Sequence, residues 1–320
     1  MKKCKGCGAF LQDSNDKIEG YTANINNDLC ERCFRIKNYN EYKFIEKNND
    51  DFIDILKDIN KTKDLVVLLV DLFNVPFNLK QITEYLNNNI LLVLTKKDIF
   101  SYKIQDEKFL SYNYGINYID SLVVSSNKNY NFDLLYEKIN KYKKSNKVYI
   151  VGYTNSGKST LINKFVHNYS KKNINITTSN LPSTTLNTLE IIINDELTLV
   201  DTPGILDNSN IDVNLLKKVI PKKEIKPITY QVHNKQYIYI EDIIKIESSD
   251  NNLTLYFSNN LKIERKYNDN KKILNEKVIR VKKNEDIVIS GIGFIKVTKN
   301  ETIKISTKND YLIYTRRSLI

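Results

Sequence analysis

One short segment constrains the fold of this chain more than any other. An apolar run, Lys147–Val151, leads directly into Gly152–Thr160, which reads G-Y-T-N-S-G-K-S-T, and a helical pattern follows. This is the G-x-x-x-x-G-K-[ST] motif in the strand, loop and helix setting that it requires. Its glycines let the backbone curl so that N–H groups point at phosphates, and the helix N-terminus adds a positive dipole there. The segment therefore predicts a nucleotide phosphate site on an α/β sheet.

The loop supplies side chains as well as backbone groups to this predicted site. Lys158 is expected to reach the β- and γ-phosphates, and the hydroxyl of Ser159 is expected to coordinate Mg²⁺. The predicted phosphate-binding residues are Asn155, Ser156, Gly157, Lys158, Ser159 and Thr160.

A second segment suits the surroundings of the γ-phosphate. The apolar run Leu197–Val200 ends in D-T-P-G at residues 201–204. Alone this would be an ordinary turn, but downstream of a phosphate-binding loop it fits a catalytic role. The carboxylate of Asp201 suits a hold on Mg²⁺, and Gly204 allows a backbone N–H to approach the γ-phosphate.

A threonine between these two segments is a further Mg²⁺ ligand candidate. Residues 182–185 read P-S-T-T, and one of the two threonines could bind the metal and sense the γ-phosphate. We favour Thr185 over Thr184. A Ser/Thr loop without function is the alternative.

The base-reading motif lies on the N-terminal side of the phosphate loop. The apolar run Ile90–Leu94 ends in T-K-K-D at residues 95–98, which fits [NT]-K-x-D. Asp98 can accept hydrogen bonds from the guanine N1–H and amine, while the stem of Lys96 lies over the base. Adenine lacks these donors, so a buried unpaired carboxylate would penalise ATP. These residues predict GTP and GDP as ligands; the expected base contacts are Thr95, Lys96, Asp98 and, after the next strand, Ser125 and Ser126.

The order of the motifs is rotated relative to an ordinary GTPase, in which the base reader follows D-x-x-G. A ligand site depends on where strand ends meet in space, so the rotated order can close the same site. Strand-like runs alternate with helical patterns over residues 52–214, which predicts a mostly parallel α/β sheet. The sequence therefore predicts a circularly permuted P-loop GTPase domain there. The chain leaves D-T-P-G towards the C-terminal segment, so nucleotide state could move that segment.

All four cysteines lie in the first 45 residues. Cys4 and Cys7 form one C-x-x-C pair, Cys30 and Cys33 form another, and 22 residues separate the pairs. Two chelating pairs can supply the tetrahedral thiolate ligands of Zn²⁺, and so small a segment needs a staple to fold. We therefore predict a zinc-ribbon-like module over residues 1–45. Disulfides or redox chemistry are the alternative, and they would need an oxidising compartment.

The C-terminal segment, residues 222–320, is predicted to be a mostly-β domain with a basic surface. Its short β-rich runs, which include Gln236–Ile240, Leu253–Phe257 and Ile287–Ile289, are separated by Asn, Asp, Ser and Gly turns. Residues 215–320 hold 22 Lys or Arg against 12 Asp or Glu, which accounts for +10 of the chain's net +11. Such an excess attracts a polyanion, most commonly nucleic acid. Compositional drift in a chain rich in Lys, Asn and Ile is the alternative.

No segment indicates a membrane or an export route. The apolar runs are far shorter than the roughly 20 residues that a membrane span needs. The N-terminus enters the first cysteine pair at once and shows no signal or transit pattern. A cytoplasmic protein is therefore expected.

With these motifs in place, the chain resembles the circularly permuted, ribosome-associated GTPases, most closely the YqeH family of bacterial small-subunit assembly factors. The likeness runs nearly end to end and includes the C-x-x-C pairs, T-K-K-D, the phosphate loop, P-S-T-T-L, D-T-P-G-I and S-G-I-G-F at residues 290–294. Thr95 replaces the family's usual Asn, and Ser183 replaces a Gly. The resemblance implies a GTPase whose C-terminal domain binds RNA or a ribosomal protein, acting on the small ribosomal subunit or its precursor.

The resemblance also implies two roles beside the γ-phosphate. Ile205 occupies the place of the glutamine that orients water in Ras-like proteins, so slow intrinsic turnover is expected. Asn155 matches the asparagine with which related GTPases hold K⁺, a cation that would offset transition-state charge. The catalytic candidates are Lys158, Asn155, Thr185 and Gly204.

Two functions of different class remain open from the sequence. The first is a GTP-driven switch in small (30S) ribosomal subunit biogenesis. The second is a nucleotide-gated regulator that binds RNA or protein away from ribosomes, with negligible turnover. A metabolic kinase is poorly supported, because no pocket for a small-molecule acceptor substrate is evident.

Overall fold

The chain forms two compact units. In a computed structural model the described residues are 2–5, 9–16, 20–31, 33–34, 49–170, 176–180, 187–205, 211, 213–269 and 272–320. The first unit comprises Met1–Leu72, Asn78–Lys97 and Asn113–Asp207. The second comprises Phe73–Phe77, Asp98–Tyr112 and Asn208–Ile320.

A seven-stranded sheet forms the centre of the first unit. Its strands are β1 (Leu65–Asp71), β2 (Ile90–Thr95), β3 (Asp120–Val123), β4 (Lys147–Gly152), β5 (Ile176–Asn180), β6 (Asn187–Asn194) and β7 (Leu197–Asp201). Their order is β3-β2-β1-β4-β7-β6-β5. The first five strands in this order are parallel, while β6 and β5 add antiparallel edges. The predicted mostly parallel α/β sheet is confirmed.

Continuous apolar runs explain the central strands. Every residue of β1 and of β2 is buried, as expected for parallel strands that are covered on both faces. Helices α1 (Asn49–Asn60), α2 (Lys80–Thr83), α4 (Phe132–Tyr142) and α5 (Lys158–Tyr169) also belong to this unit. α4 buries Phe132, Leu135 and Ile139 at helical spacing. The centre of the sheet is therefore stabilised by the burial of its strand residues, and amphipathic helices such as α4 pack against it.

The cysteine segment shares the core of the first unit. One buried cluster contains Cys4, Ala9, Leu11, Cys30 and Cys33 together with sheet and helix residues such as those of β1 and α4. The N-terminal segment is thus packed as part of the same hydrophobic core.

The second unit is dominated by antiparallel strands. They are β8 (Ile228–Ile240), β9 (Ile244–Phe257), β10 (Ile263–Lys266), β11 (Asn275–Val281), β12 (Glu285–Ile289), β13 (Gly293–Val297), β14 (Glu301–Thr307) and β15 (Ile313–Arg317). The order is β10-β8-β9-β13-β12-β15, and β14 pairs with both β9 and β11. The predicted mostly-β C-terminal region is confirmed. The unit also contains α3 (Asp106–Leu110) and α6 (Val213–Val219).

Two segments that follow β1 and β2 in the chain pack within the second unit. The rings of Phe73 and Phe294 lie 6.4 Å apart. The hydroxyl of Tyr314 donates to the carbonyl of Val75 at 2.8 Å. The N–H of Ile225 donates to the carbonyl of Ile99 at 2.8 Å. Residues 73–77 and 98–112 are therefore structural members of the β-rich unit.

Among the described residues, no helix combines the length and apolar character needed to cross a bilayer.

Candidate functional site

The phosphate loop joins β4 to α5 through an unusual backbone. Asn155 and Gly157 have φ angles of 61° and 90°. These values lie in the left-handed region, which residues other than glycine rarely adopt. A Cβ on Gly152 would lie 2.7 Å from Oγ of Ser156 and 3.0 Å from the backbone carbonyl of Leu69, so a larger residue would crowd the loop. The N–H of Thr154 donates to the carbonyl of Ile205 at 2.7 Å. The loop is thus shaped by its glycines and tied to the segment after β7.

A buried lysine and a buried aspartate lie together at this end of the sheet. Lys158 is 3% exposed and Asp201 is 4% exposed. Their Nζ and Oδ1 atoms are 3.3 Å apart, and Lys158 also donates to the carbonyl of Thr202. Asp201 is the last residue of β7, which is the parallel neighbour of β4. The fold therefore brings the predicted phosphate lysine to the predicted metal-side carboxylate.

Thr95 lies at the end of β2 and contacts the phosphate loop. Its hydroxyl is 2.6 Å from the carbonyl of Ser156 and 3.3 Å from that of Val70. The residue is 2% exposed. Sequence reasoning assigned Thr95 to the base, whereas its hydroxyl is hydrogen-bonded to the loop backbone. β2 is thereby hydrogen-bonded to the predicted phosphate loop.

The next residue, Lys96, forms an ion pair that sequence reasoning missed. Its Nζ lies 2.7 Å from Oδ2 of Asp71, the last residue of β1. An aspartate at the end of an apolar run, on a strand beside the base-reading strand, is the sequence signal that could have identified it.

The loop after β3 reaches the same edge of the sheet. Ser125 is 1% exposed, and its Oγ accepts from the N–H of Lys128 at 3.1 Å. The N–H of Lys97 donates to the carbonyl of Val124 at 3.2 Å. Ser126 is half-buried. The predicted second base-side loop therefore lies beside the backbone of T-K-K-D.

The remaining predicted residues have simple placements. Asp98 is half-buried in the 3₁₀ helix Lys97–Ile99, directly after Lys97. Ser159 is half-buried in the first turn of α5, Thr160 is exposed and Gly204 is buried. Thr184, Thr185 and Cys7 lie outside the described residues.

The donors present fit the two predicted metals. The hydroxyl of Ser159 and the carboxylate of Asp201 are hard oxygen donors, which Mg²⁺ prefers. The Sγ atoms of Cys4, Cys30 and Cys33 lie within 4.8 Å of one another and are buried. None of these three cysteines is in a disulfide. Converging thiols of this kind form the ligand set of a structural zinc site.

Two lysines pair with one aspartate next to the cysteine cluster. Hydrogen bonds from Lys2 and Lys5, and their positive charges, lower the pKa of Asp28 to about 2. The N–H of Lys5 donates to the carbonyl of Asp28 at 2.8 Å. These contacts join the segment that contains Lys2, Cys4 and Lys5 to the residues that precede Cys30.

Two family models match the chain in overlapping stretches. The model described as "50S ribosome-binding GTPase" matches residues 147–289. The model described as "RsgA GTPase" matches residues 57–211. The first begins with β4 and the phosphate loop, and the second includes the base-reading strand as well.

Individual relatives extend this similarity over the whole chain. The chain is 32% identical to the uncharacterized protein YqeH of Bacillus subtilis over 99% of both chains. It is 28% identical to the GTPase Der of Karelsulcia muelleri over 62% of this chain and 47% of that protein. It is 24% identical to the mitochondrial Genetic interactor of prohibitins 3 of Vanderwaltozyma polyspora over 95% of this chain and 53% of that protein. The Bacillus protein thus matches from the cysteine segment to the last β-strands.

Proposed function

Since the chain belongs to the YqeH family of circularly permuted GTPases and is therefore a GTPase, we propose that it is a GTP-driven switch in the biogenesis of the small ribosomal subunit. Hydrolysis is the timer: the protein binds the precursor in one nucleotide state and leaves in the other. The observation that carries the switch is the contact of β2 and β7 with one phosphate loop, through Thr95 and Asp201.

In this proposal the phosphates bind at the N-terminus of α5. Backbone N–H groups of residues 155–160 surround them, and Lys158 exchanges its contacts with Asp201 and Thr202 for the β- and γ-phosphate oxygens. Ser159, Asp201 and Thr185 would hold Mg²⁺, which would supply positive charge to offset the charge that develops between the β- and γ-phosphates. The buried position of Lys158 makes each of its ionic contacts stronger than in water.

The base is read by the motif that follows β2. Asp98 accepts hydrogen bonds from guanine, Lys96 covers the ring, and the loop containing Ser125 and Ser126 closes the far side. The hydrogen bond from the Thr95 hydroxyl to the carbonyl of Ser156 connects this motif to the phosphate loop. Guanine is selected because adenine would leave the Asp98 carboxylate without donors.

Hydrolysis proceeds without a side-chain base at residue 205. Ile205 is 8% exposed and offers no polar side-chain atom, and its backbone is engaged with Gly152 and Thr154. The backbone N–H of Gly204 would approach the γ-phosphate, to which it can donate a hydrogen bond, but it cannot act as a base. Slow intrinsic turnover follows. Asn155, exposed at the tip of the loop, would hold K⁺, and equal rates in potassium and sodium buffers would remove this part of the proposal.

The other parts of the chain recognise the ribosomal partner. The cysteine module, held by zinc on Cys4, Cys7, Cys30 and Cys33, and the basic 222–320 region bind ribosomal RNA or protein. Cytoplasmic action accords with such a partner. Residues 1–45, 52–214 and 222–320 remain the proposed functional segments.

Co-sedimentation with purified subunits tests this function. The full chain is run through sucrose gradients in potassium buffer with 30S or 50S subunits, in GDP and in a non-hydrolysable GTP analogue. Both subunits are needed because one matching family model is described as 50S ribosome-binding. Travel with 30S only in the GTP-like state supports the proposal. Travel with 50S alone refutes the small-subunit assignment, and absence from both favours the regulator unconnected with ribosomes.

A further inference from the structure

A buried ion pair lies where β1 and β2 end. Asp71 and Thr95, the last residues of the two strands, are partners in the parallel register. Lys96 follows with a φ of 64°, which for a lysine is an uncommon left-handed conformation. This turn directs the side chain back to the neighbouring strand, where its Nζ lies 2.7 Å from Oδ2 of Asp71.

The ion pair is too well shielded from solvent to be an ordinary surface contact. The side chain of Asp71 is 8% exposed and that of Lys96 is 20% exposed. Removing two charges from water costs much of what their attraction gains, and an apolar pair of similar size would often stabilise the fold as well. Folding alone therefore does not account for a charged pair here, combined with a left-handed residue, beside the phosphate loop.

We propose that Asp71 is a positioning residue for nucleotide binding. It holds the ammonium group of Lys96 so that the aliphatic stem of the lysine forms a prepared apolar surface for the guanine ring. This inference rests on the proposed role of T-K-K-D as the base reader. Because the lysine is restrained before the nucleotide arrives, its loss of side-chain freedom does not weaken binding.

The opposite arrangement makes a distinguishable prediction. If Lys96 had to leave Asp71 to contact the nucleotide, Asp71 would compete with the ligand, and its removal would tighten binding. The two cases therefore differ in the sign of the effect of one substitution.

Asp71→Asn is the main test, because asparagine keeps the size of the side chain and removes its charge. Calorimetric titration of the full chain with GDP, and with a non-hydrolysable GTP analogue, should show affinities about three- to tenfold weaker for both ligands. Single-turnover hydrolysis at saturating GTP should be unchanged, since the pair is assigned to the base and not to the reacting phosphates.

A double-mutant cycle shows whether Asp71 acts through Lys96. Lys96→Met keeps most of the stem and removes the ammonium group, so its nucleotide affinities should fall by a similar factor. Adding Asp71→Asn to Lys96→Met should then cost nothing further. Additive losses, unchanged affinity in Asp71→Asn, or tighter binding would each overturn the inference.

A matched ion pair in the same unit is the control. Asp120, the first residue of β3, lies 2.5 Å from Nζ of Lys138, with side-chain exposures of 26% and 20%. It begins a strand, whereas Asp71 ends one. Asp120→Asn should lower thermal stability and leave both nucleotide affinities unchanged.

A measurement on the unmodified chain covers the case in which Asp71→Asn does not fold. The ¹⁵N-labelled Lys96 ammonium group, assigned by its absence in Lys96→Arg, should be restrained and slow to exchange with water both with and without GDP. Free rotation after GDP binding would refute the inference. Failure of the unmodified chain to bind any guanine nucleotide would refute the proposed function itself, whereas normal binding by Asp71→Asn would refute only this inference.

Discussion

Both units of the molecule bury charged side chains, but they arrange them differently. In the first unit Asp71, Lys158 and Asp201 lie at the ends or just beyond the ends of parallel strands. In the second unit Asp286 and Arg316 face each other from adjacent antiparallel strands, with Nε 3.4 Å from Oδ2. The carboxyl ends of parallel strands lie at one edge of the sheet, so buried charged side chains there can contact a bound ligand. Antiparallel pairing brings the two charged residues together as register partners of neighbouring strands, so there they neutralise each other.

The largest expected effect is the loss of activity in Lys158→Ala. This change removes the buried cation next to the phosphates, and we expect kcat/KM for GTP to fall by about 10²- to 10³-fold. Phosphate release, measured alongside a thermal melt, checks this. A near-normal rate of hydrolysis in folded Lys158→Ala protein would contradict a catalytic role for this edge of the parallel sheet.

The second effect is a change of base preference in Asp98→Asn. The amide oxygen can still accept from N1–H of either base. The amide NH₂ group, however, faces the exocyclic amine of guanine, donor against donor, whereas it can donate to the O2 carbonyl of xanthine. GDP affinity should fall about a hundredfold and xanthosine diphosphate should bind better than GDP. Competition titrations with both nucleotides measure this. Unchanged preference would place the base reader elsewhere.

Arg316→Met should affect folding but not nucleotide binding. It leaves Asp286 buried without its partner, which costs about 3 kcal/mol in the free energy of unfolding. Urea denaturation measures the loss, and GDP titration should give the affinity of the unmodified chain. Replacing both residues by apolar ones should restore the stability, and a second loss of equal size would contradict the pairing.

The smallest effect is a pH dependence of stability that is due to Asp286. Burial raises the pKa of this carboxyl above its ordinary value, although the charge of Arg316 and the N–H of Leu319 oppose the shift. The folded chain therefore holds the proton more tightly than the unfolded chain. Its contribution to stability is complete below the ordinary pKa of 3.8 and is lost as pH rises through the raised value.

Asp286→Asn checks the origin of this pH dependence. Denaturation curves across the acid range should lose that slope in the variant, because asparagine does not titrate. A slope that persists would assign the effect to other carboxyls.

The elements that sequence reasoning identified share a strong local signal. The runs that became β1, β2 and β4 are continuous and apolar, and the phosphate loop has fixed spacing. Asp71 was missed because a single aspartate has no motif, and its role depends on Lys96, which follows the neighbouring strand β2. The lengths of β8 and β9 were also missed. The apolar runs Gln236–Ile240 and Leu253–Phe257 cover only part of them, because polar residues continue the hairpin by pairing with each other.

The membership of residues 73–77 and 98–112 in the second unit could not be read from periodicity. It depends on contacts between residues that are distant in sequence, such as Asn74 Oδ1 with the N–H of Gly291 at 3.0 Å. Residues 98–112 are more polar than the apolar run of β2, but that contrast does not show to which unit the segment belongs.

These two segments have a consequence for modularity. The chain passes between the units after residues 72, 77, 97, 112 and 207, so no single cut separates them. A fragment ending at residue 214 would leave Phe73 without the ring of Phe294 and Ile99 without its hydrogen bond from Ile225. The β-rich unit therefore could not be exchanged between relatives as a cassette, since two internal segments would have to change with it.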